Sequence, residues 1–360
     1  MKIMIITNHS YMFYQFRREL VQRLLRDHEV VLAMPFVGHE EDFAAMGCKC
    51  IETKLERRGM NPVRDLQLVK TYWQLLRQEK PDKVITYSIK PNVYAGTLCG
   101  LMKIPYYVNV QGLGTAFQSR KMAAVATVLY KMGLHKVQAV FFENQGNADE
   151  FVNRGIVKRD KIKLLNGAGV NLAHYTYQEY PQEREQVHFL YLGRIMKEKG
   201  MDELFYAIKK LHEKYGNRVV LDLVGFYEDE YKEQVQELSE QGIVDFHGFQ
   251  SETRPYYGQT DCVVLASYHE GMSNVLLEAA AIGRPIITSD IYGCREAADD
   301  GETGFLCRVK DRESLLEQME KFLCLSHDKR REMGLKGRQK MEQEFEKSKV
   351  VEETVKTLGV

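Results

Sequence analysis

Twice along this 360-residue chain the text runs strand, helix, strand, helix, and that repetition limits the fold more than any other feature. Short, continuously apolar runs ("KIMIIT", "EVVLAMP", "KVITYS", "YYVNV") alternate with longer runs whose apolar residues recur every three or four positions ("FYQFRRELVQRLLRD", "PVRDLQLVKTYWQLLRQEK", "NVYAGTLCGLMK"). Strands apolar on both faces belong in the middle of a parallel sheet, and amphipathic helices are the crossovers such a sheet requires. At "LAHYTYQEYPQEREQV" the pattern stops in polar, tyrosine-rich text with a proline. It then restarts with "HFLYLGR", "MDELFYAIKKLHEKYG", "VVLDLVG", "DEYKEQVQELSEQ", "DCVVLAS" and "PIITSD". The expectation is two Rossmann-like α/β domains, 1–172 and 188–340, joined by a linker at 173–187 and followed by charged helices to 360. Ligands of such sheets sit outside the carboxyl ends of the strands, so the crevice between the domains is the expected site.

The net charge is zero, but residues 1–165 hold 25 Lys and Arg against 15 Asp and Glu, a net of +10, leaving −10 for the remainder. A basic half suits phosphates or an anionic membrane surface. It contains no recognisable nucleic-acid module, so no nucleic-acid partner is expected. No run of about 18 apolar residues is present to span a bilayer, and the opening "MKIMIITNHS" reads as a first buried strand rather than a signal peptide. The seven cysteines are scattered, which suggests a reducing cytoplasm without disulfides or a zinc site.

The stretch "YHEGMSNVLLEAAAIGRPIITSD" places Glu270 in a loop after a buried strand and Glu278 inside the next helix. Ser273 suits an N-cap, Gly271 lets backbone approach a ligand, and the first-turn N–H groups of Met272, Ser273, Asn274 and Val275 form an anion site suited to a diphosphate. Glu278 lies four residues past Asn274 and shares its helix face. Two carboxylates flanking a diphosphate site can accept from hydroxyls on either side, the arrangement a nucleotide sugar presents. Read alone, the same residues also describe a loop charge and a surface helix charge.

The surrounding text resembles a known family. "SYHEGMSNVLLEAAAIGRPIITSDIYGCREAADDGETGFLC" is similar to the nucleotide-binding signature of retaining GT-B glycosyltransferases of family 4: two glutamates separated by seven residues, a small-residue helix, then Gly293-x-x-Glu296 and the tail from Gly301 to Leu306. "LYLGRIMKEKG" resembles the family's second donor element. The resemblance implies a GT-B fold, two Rossmann-like domains facing across a cleft with a C-terminal helix, 341–360, returning to the N-terminal domain, with Glu270, Arg194 and Lys199 catalytic and Glu278 with residues 271–275 on the donor. The stretches 86–96, 108–117, 141–151 and 164–172 resemble bacterial enzymes that build glycans on a polyprenyl diphosphate carrier. This implies a UDP-sugar as co-substrate, N-acetylgalactosamine or galactose as the sugar, and a polyprenyl-diphosphate-linked saccharide as acceptor.

In the first half, the loops after strands carry Asn8, His9, Lys90, Asn109, Gln111, Gly112 and Gly114, the candidate acceptor residues. Lys90 precedes a Pro-Asn helix start and suits a phosphate. His9 reads better as a rim residue than as a catalyst. The Rossmann G-x-G-x-x-G is missing after the first strand, which argues against a dinucleotide cofactor. Neither Asn109 nor Gln111 can serve as a general base. No Asp-x-Asp triplet occurs, so no metal and no other cofactor is expected. The segment 118–142, with Arg120, Lys121, Lys131 and Lys136 among Met122, Leu129, Tyr130 and Met132, reads as an interfacial helix followed by a strand. The expected location is the cytoplasm, peripherally on the inner face of the cell membrane. A nucleotide-sugar 2-epimerase of the same fold and a non-catalytic nucleotide-sugar binder are the alternatives.

Overall fold

The computed structural model describes all residues except 56–60, 115, 116 and 118. The chain divides into two compact units, Met1–Ala168 with Ser348–Val360, and Gly169–Lys347.

Unit 1 runs β1 (Lys2–Ile6), α1 (Ser10–Leu24), β2 (Glu29–Met34), α2 (Glu40–Ala45), β3 (Lys49–Glu52), α3 (Pro62–Glu79), β4 (Lys83–Tyr87), a π-helical turn (Pro91–Ala95), α4 (Gly96–Met102), β5 (Tyr106–Val110), α5 (Arg120–Gly133), β6 (Ala139–Phe142), α6 (Gln145–Asn153) and β7 (Ile162–Leu164). Its seven strands lie in the order β3-β2-β1-β4-β5-β6-β7, and every pairing is parallel. The chain winds outward from β1 in one direction and then, from β4, in the other. The β1/β4 boundary is therefore the switch point, where diverging crossovers leave a hollow at the strand ends. Helices α3 to α6 bury their apolar faces on one side of the sheet, with Tyr72, Leu76, Tyr130 and Phe151 in the core. Gly133 is required where α5 meets the π turn, because a β-carbon there would stand 2.7 Å from Val93 Cα.

Unit 2 runs β8 (Val187–Leu192), α7 (Met201–Tyr215), β9 (Val219–Val224), α8 (Lys232–Glu240), β10 (Val244–Gly248), α9 (Arg254–Gln259), β11 (Cys262–Leu265), α10 (Asn274–Ile282), β12 (Ile286–Ser289), β13 (Gly304–Cys307), α11 (Arg312–Leu323) and α12 (His327–Lys340). The six parallel strands order as β10-β9-β8-β11-β12-β13, with the switch at β8/β11. After a π turn at Met341–Phe345 comes α13 (Lys347–Leu358). Val350, Val351, Val355 and Leu358 of α13 complete the unit 1 core on the side of the sheet opposite α3. Lys83 Nζ donates to the Leu358 carbonyl at 2.5 Å, and Tyr107 Oη donates to it at 3.2 Å.

The stretch read as a linker, 173–187, counts with unit 2. Tyr180 is buried and donates to the Asp261 carbonyl at 3.0 Å, and Gln178 N–H pairs with the Ile282 carbonyl at 3.1 Å. Tyr175 and Tyr180 act as packing groups whose hydroxyls find partners, a use that polar text conceals.

Candidate functional site

Within unit 2 the candidate donor residues stand on the loops that leave β8 and β11. Lys199 ends a short 3₁₀ turn, and Gly200 follows it at φ +74° as the N-cap of α7. A β-carbon on Gly200 would sit 2.2 Å from the Ala266 carbonyl oxygen, so only glycine lets this loop lie against the end of β11. Tyr268 N–H donates to the Glu198 carbonyl at 2.8 Å and pins the two loops together. The result is a direct pair: Lys199 Nζ lies 2.5 Å from Glu270 Oε1, with both side chains less than a fifth exposed. Ser267 Oγ donates to the same oxygen at 2.8 Å.

Arg194 leaves β8 more exposed and forms an ion pair with Glu228 at 2.6 Å, while its carbonyl accepts from Tyr191 Oη at 2.5 Å. The buried Tyr191 phenol feels the charges of both Glu270 and Arg194, so the three groups share one neighbourhood. Burial holds that phenol far above its ordinary value.

The Gly-x-x-Glu pair has a mechanical role. Gly293, at φ +87°, donates its N–H to Glu296 Oε2 at 2.7 Å and accepts from Ser273 N–H at 2.8 Å. Its missing β-carbon would stand 2.4 Å from the Gly271 carbonyl oxygen. The loop carrying Glu270 and Gly271 is thus fixed from behind. This corrects one expectation: Ser273 is the N-cap of α10, but its side chain caps nothing and its N–H is committed to Gly293. The anion-facing donors narrow to Met272 ahead of the cap and Asn274 and Val275 in the first turn, whose N–H groups have no intrahelical acceptor.

Glu278, one turn further along α10, accepts from Tyr257 Oη at 2.9 Å and also from the Tyr175 phenol. Its carboxyl is pushed up to about 7, first by desolvation, against the pull of the two phenols. Of these two phenols, Tyr257 is held at its backbone by Arg284. That guanidinium is fully buried and donates to five backbone carbonyls, those of Tyr257, Gly258, Gln178, Glu179 and Gly283. Sequence reasoning missed all three residues. The only signals were the tyrosine density of 173–187 and an arginine immediately before an apolar strand.

Within unit 1 a cavity of about 210 Å³ opens at the β1/β4 switch, lined by Asn8, Lys90, Asn109, Gln111 and Gly112, with Ser88, Asn92 and Tyr130 among the others. Five of the seven acceptor candidates therefore converge. Ser88 adopts φ +75°, a left-handed conformation that costs a non-glycine residue about 1 kcal/mol or more and tends to mark functional turns. Lys90 is not an open cation: its Nζ lies 2.9 Å from Asp65 Oδ1 of α3. Asn109 is buried and turned inward, donating to the Thr86 carbonyl at 3.4 Å while its own carbonyl accepts from Asn92 at 2.8 Å. His9 is the N-cap of α1, accepting from Met12 N–H at 3.4 Å. Gly114 takes φ +59°. Thr115 and Ala116 of the 108–117 stretch, and Gln118 of the 118–142 stretch, lie outside the described residues. Among the described residues no cluster of His, Cys, Asp and Glu suits a metal ion, and no helix is long and apolar enough to cross a membrane.

Two family models account for most of the chain: "Glycosyl transferases group 1" matches residues 177–340 and "Glycosyl transferase 4-like" matches residues 2–144. The chain belongs to the GT-B glycosyltransferases of these families and is a sugar-transferring enzyme. It is 26% identical to the N,N'-diacetylbacillosaminyl-diphospho-undecaprenol alpha-1,3-N-acetylgalactosaminyltransferase of Campylobacter jejuni, over 89% of this chain and 88% of the relative. It is 24% identical to the capsular polysaccharide biosynthesis glycosyltransferase CapM of Staphylococcus aureus, over 82% and 81%. The fold matches that of Anabaena HepE solved with UDP and glucose, at a TM-score of 0.81 and 16% identity, covering 100% of this chain and 99% of the other.

Proposed function

We propose that the enzyme transfers an N-acetylhexosamine, N-acetylgalactosamine first, or galactose from a UDP-sugar to a saccharide carried on a polyprenyl diphosphate, with retention of anomeric configuration, in the assembly of a surface polysaccharide or glycan. The observation that carries the reading is the Lys199–Glu270 pair, 2.5 Å apart and set just before the open N-terminus of α10. When the bond between the anomeric carbon and the diphosphate breaks, negative charge grows on the leaving oxygen. Lys199, Arg194 and the first-turn N–H groups of α10 offer fixed positive charge and dipoles against it. Glu270 holds Lys199 in place and accepts from a sugar hydroxyl, while Glu278 takes the ribose hydroxyls.

The acceptor oxygen attacks the anomeric carbon on the face the diphosphate leaves. Its proton passes to the departing phosphate oxygen, so neither Asn109 nor Gln111 is asked to act as a base. The unit 1 cavity, with Asn8, Lys90, Gln111 and Gly112 in its wall, receives the saccharide end of the acceptor. Support for the acceptor class comes from the Campylobacter relative, whose acceptor is an undecaprenol-diphosphate-linked sugar. The enzyme works in the cytoplasm against the anionic inner surface of the cell membrane and uses no metal.

The test is nucleotide release from UDP-, GDP-, ADP- and dTDP-sugars, with and without an extract of polyprenyl-diphosphate saccharides, in EDTA. Release only from a UDP-sugar, only with extract, and absent in Glu278→Ala is the expected result. Conversion of the sugar without release would instead establish an epimerase. Complete loss in EDTA with recovery on magnesium would overturn the metal-free mechanism.

A further inference from the structure

Helices α3, α4 and α5 follow one another on the same side of the unit 1 sheet, and their inner faces share one core. Their outer faces carry large apolar side chains among the polar ones. Val63, Leu66 and Trp73 of α3, Leu101 of α4, and Val128 and Met132 of α5 are all exposed, with Leu66 and Leu101 at 70% and 72%. Single exposed hydrophobics are ordinary, but six on three adjacent helices make a surface of the kind that meets a partner.

The exposed charges on the same helices all have one sign. Arg64, Lys70 and Arg77 of α3, Lys103 after α4, and Lys121 and Lys131 of α5 are exposed. The two acids of α3 are buried and paired, Asp65 with Lys90 and Glu79 with Lys49. Helices α4 and α5 contain no acid. Arg77 stacks over the Trp73 ring at 4.9 Å, leaving an amphipathic aromatic and a cation side by side. Apolar side chains protruding through a ring of basic ones match an anionic bilayer surface, with apolar tips in the acyl boundary and cations among the headgroups.

The cavity of unit 1 lies beneath this same layer. Tyr130 of α5 is in its wall, as are Pro91 and Asn92 of the π turn that α5 packs against, and Lys90 in its wall is paired with Asp65 of α3. We infer that the outer surface of α3, α4 and α5 together is a membrane-docking face that seats unit 1 on anionic lipid. This rests on the membrane reading of the proposed function and deepens it. The interfacial helix read in the sequence is one third of the face, and α3 and α4 supply its most exposed apolar residues.

Flotation of the full chain with vesicles tests this in the absence of any sugar substrate. Binding is expected to vesicles of phosphatidylcholine with phosphatidylglycerol at low salt, and not to phosphatidylcholine alone. Leu66→Glu with Leu101→Glu should lower the partition more than tenfold at an unchanged Tm. Each of Lys70→Gln and Lys131→Gln should lower it about fivefold. Leu335→Glu, an exposed position on α12, should behave as the parent does. Absence of binding to the anionic vesicles would overturn the inference. So would loss only on α5 substitution, or self-association of the free protein abolished by the same double substitution. Transfer to a water-soluble acceptor should survive the double substitution. Vesicle binding without any transfer would therefore sink the proposed activity and leave the docking face standing.

Discussion

Glu278 links the unit 2 core to pH in a way that can be measured. Its carboxyl ionises near 4.5 when free and near 7 in the folded chain, because the site withholds water from the charged form more than two phenols can compensate. A raised acid binds its proton more tightly in the folded state, so folding is favoured where that proton is present. Stability from this group is full below pH 4.5 and falls as pH rises through the folded value near 7. The difference amounts to about 3 kcal/mol at pH 8, from 1.36 kcal/mol per unit. Glu278→Gln keeps the shape and one acceptor for Tyr257 but cannot ionise. Relative to the parent, the variant should therefore gain roughly 2–3 kcal/mol between pH 5 and pH 8, less about 1 kcal/mol at every pH for the hydrogen bond it weakens. Urea unfolding of both proteins at the two pH values measures this, and subtracting the curves cancels every other titrating group. A difference that does not change with pH would show that the carboxylate is ionised and solvated in the folded chain, and the reasoning fails. The same linkage predicts that a UDP-sugar, whose hydroxyls donate to the ionised form, binds better at pH 8 than at pH 6.

Lys199→Met should lower kcat by about 10²-fold or more with little change in Tm, since it removes a charge that matters most as the diphosphate leaves. Steady-state kinetics beside a melting curve separates the two effects. Gly293→Ala should cost roughly 2 kcal/mol or more and lower activity as well, because its β-carbon meets the Gly271 carbonyl and the φ of +87° disfavours a side chain. Denaturant unfolding and donor KM check both halves. Arg284→Met should cost about 3–5 kcal/mol by leaving five buried or part-buried carbonyls without this donor. At permissive temperature its donor KM should rise more than kcat falls, since Tyr257 loses its anchor while Lys199 does not.

The periodicities carried the two sheets into view because strands such as Ile3–Ile6 and Cys262–Leu265 are buried on both faces and advertise it in continuous apolar text. The short strands β3 and β7, at the edges of the unit 1 sheet, leave no such trace, having only three or four residues with half their faces in solvent. At the site, a strand-end loop beside a helix start could be read from Glu270, Gly271 and Ser273, because those signals are local. What could not be read was which donors were already committed. The Ser273 N–H answers to Gly293, twenty residues on, and Lys90 answers to Asp65, on a different helix. The support of Glu278 by Tyr175, Tyr257 and Arg284 is a three-segment arrangement that exists only once the fold is made. The tyrosine-rich stretch therefore looked like a tether when it is a wall of unit 2.

The helix that completes the unit 1 core is encoded after the whole of unit 2. A growing chain leaving the ribosome has all seven strands of its first sheet in place while Ile3, Leu20, Val30 and Phe141 still lack the cover of Val350, Val351, Val355 and Leu358. Unit 2 can mature in the meantime; unit 1 must wait for α13. A chain cut short within α13 would carry a finished unit 2 and a unit 1 with an open apolar trough, the kind of surface that chaperones and proteases recognise. The folding of the half that comes first thereby depends on a segment made after the whole of unit 2.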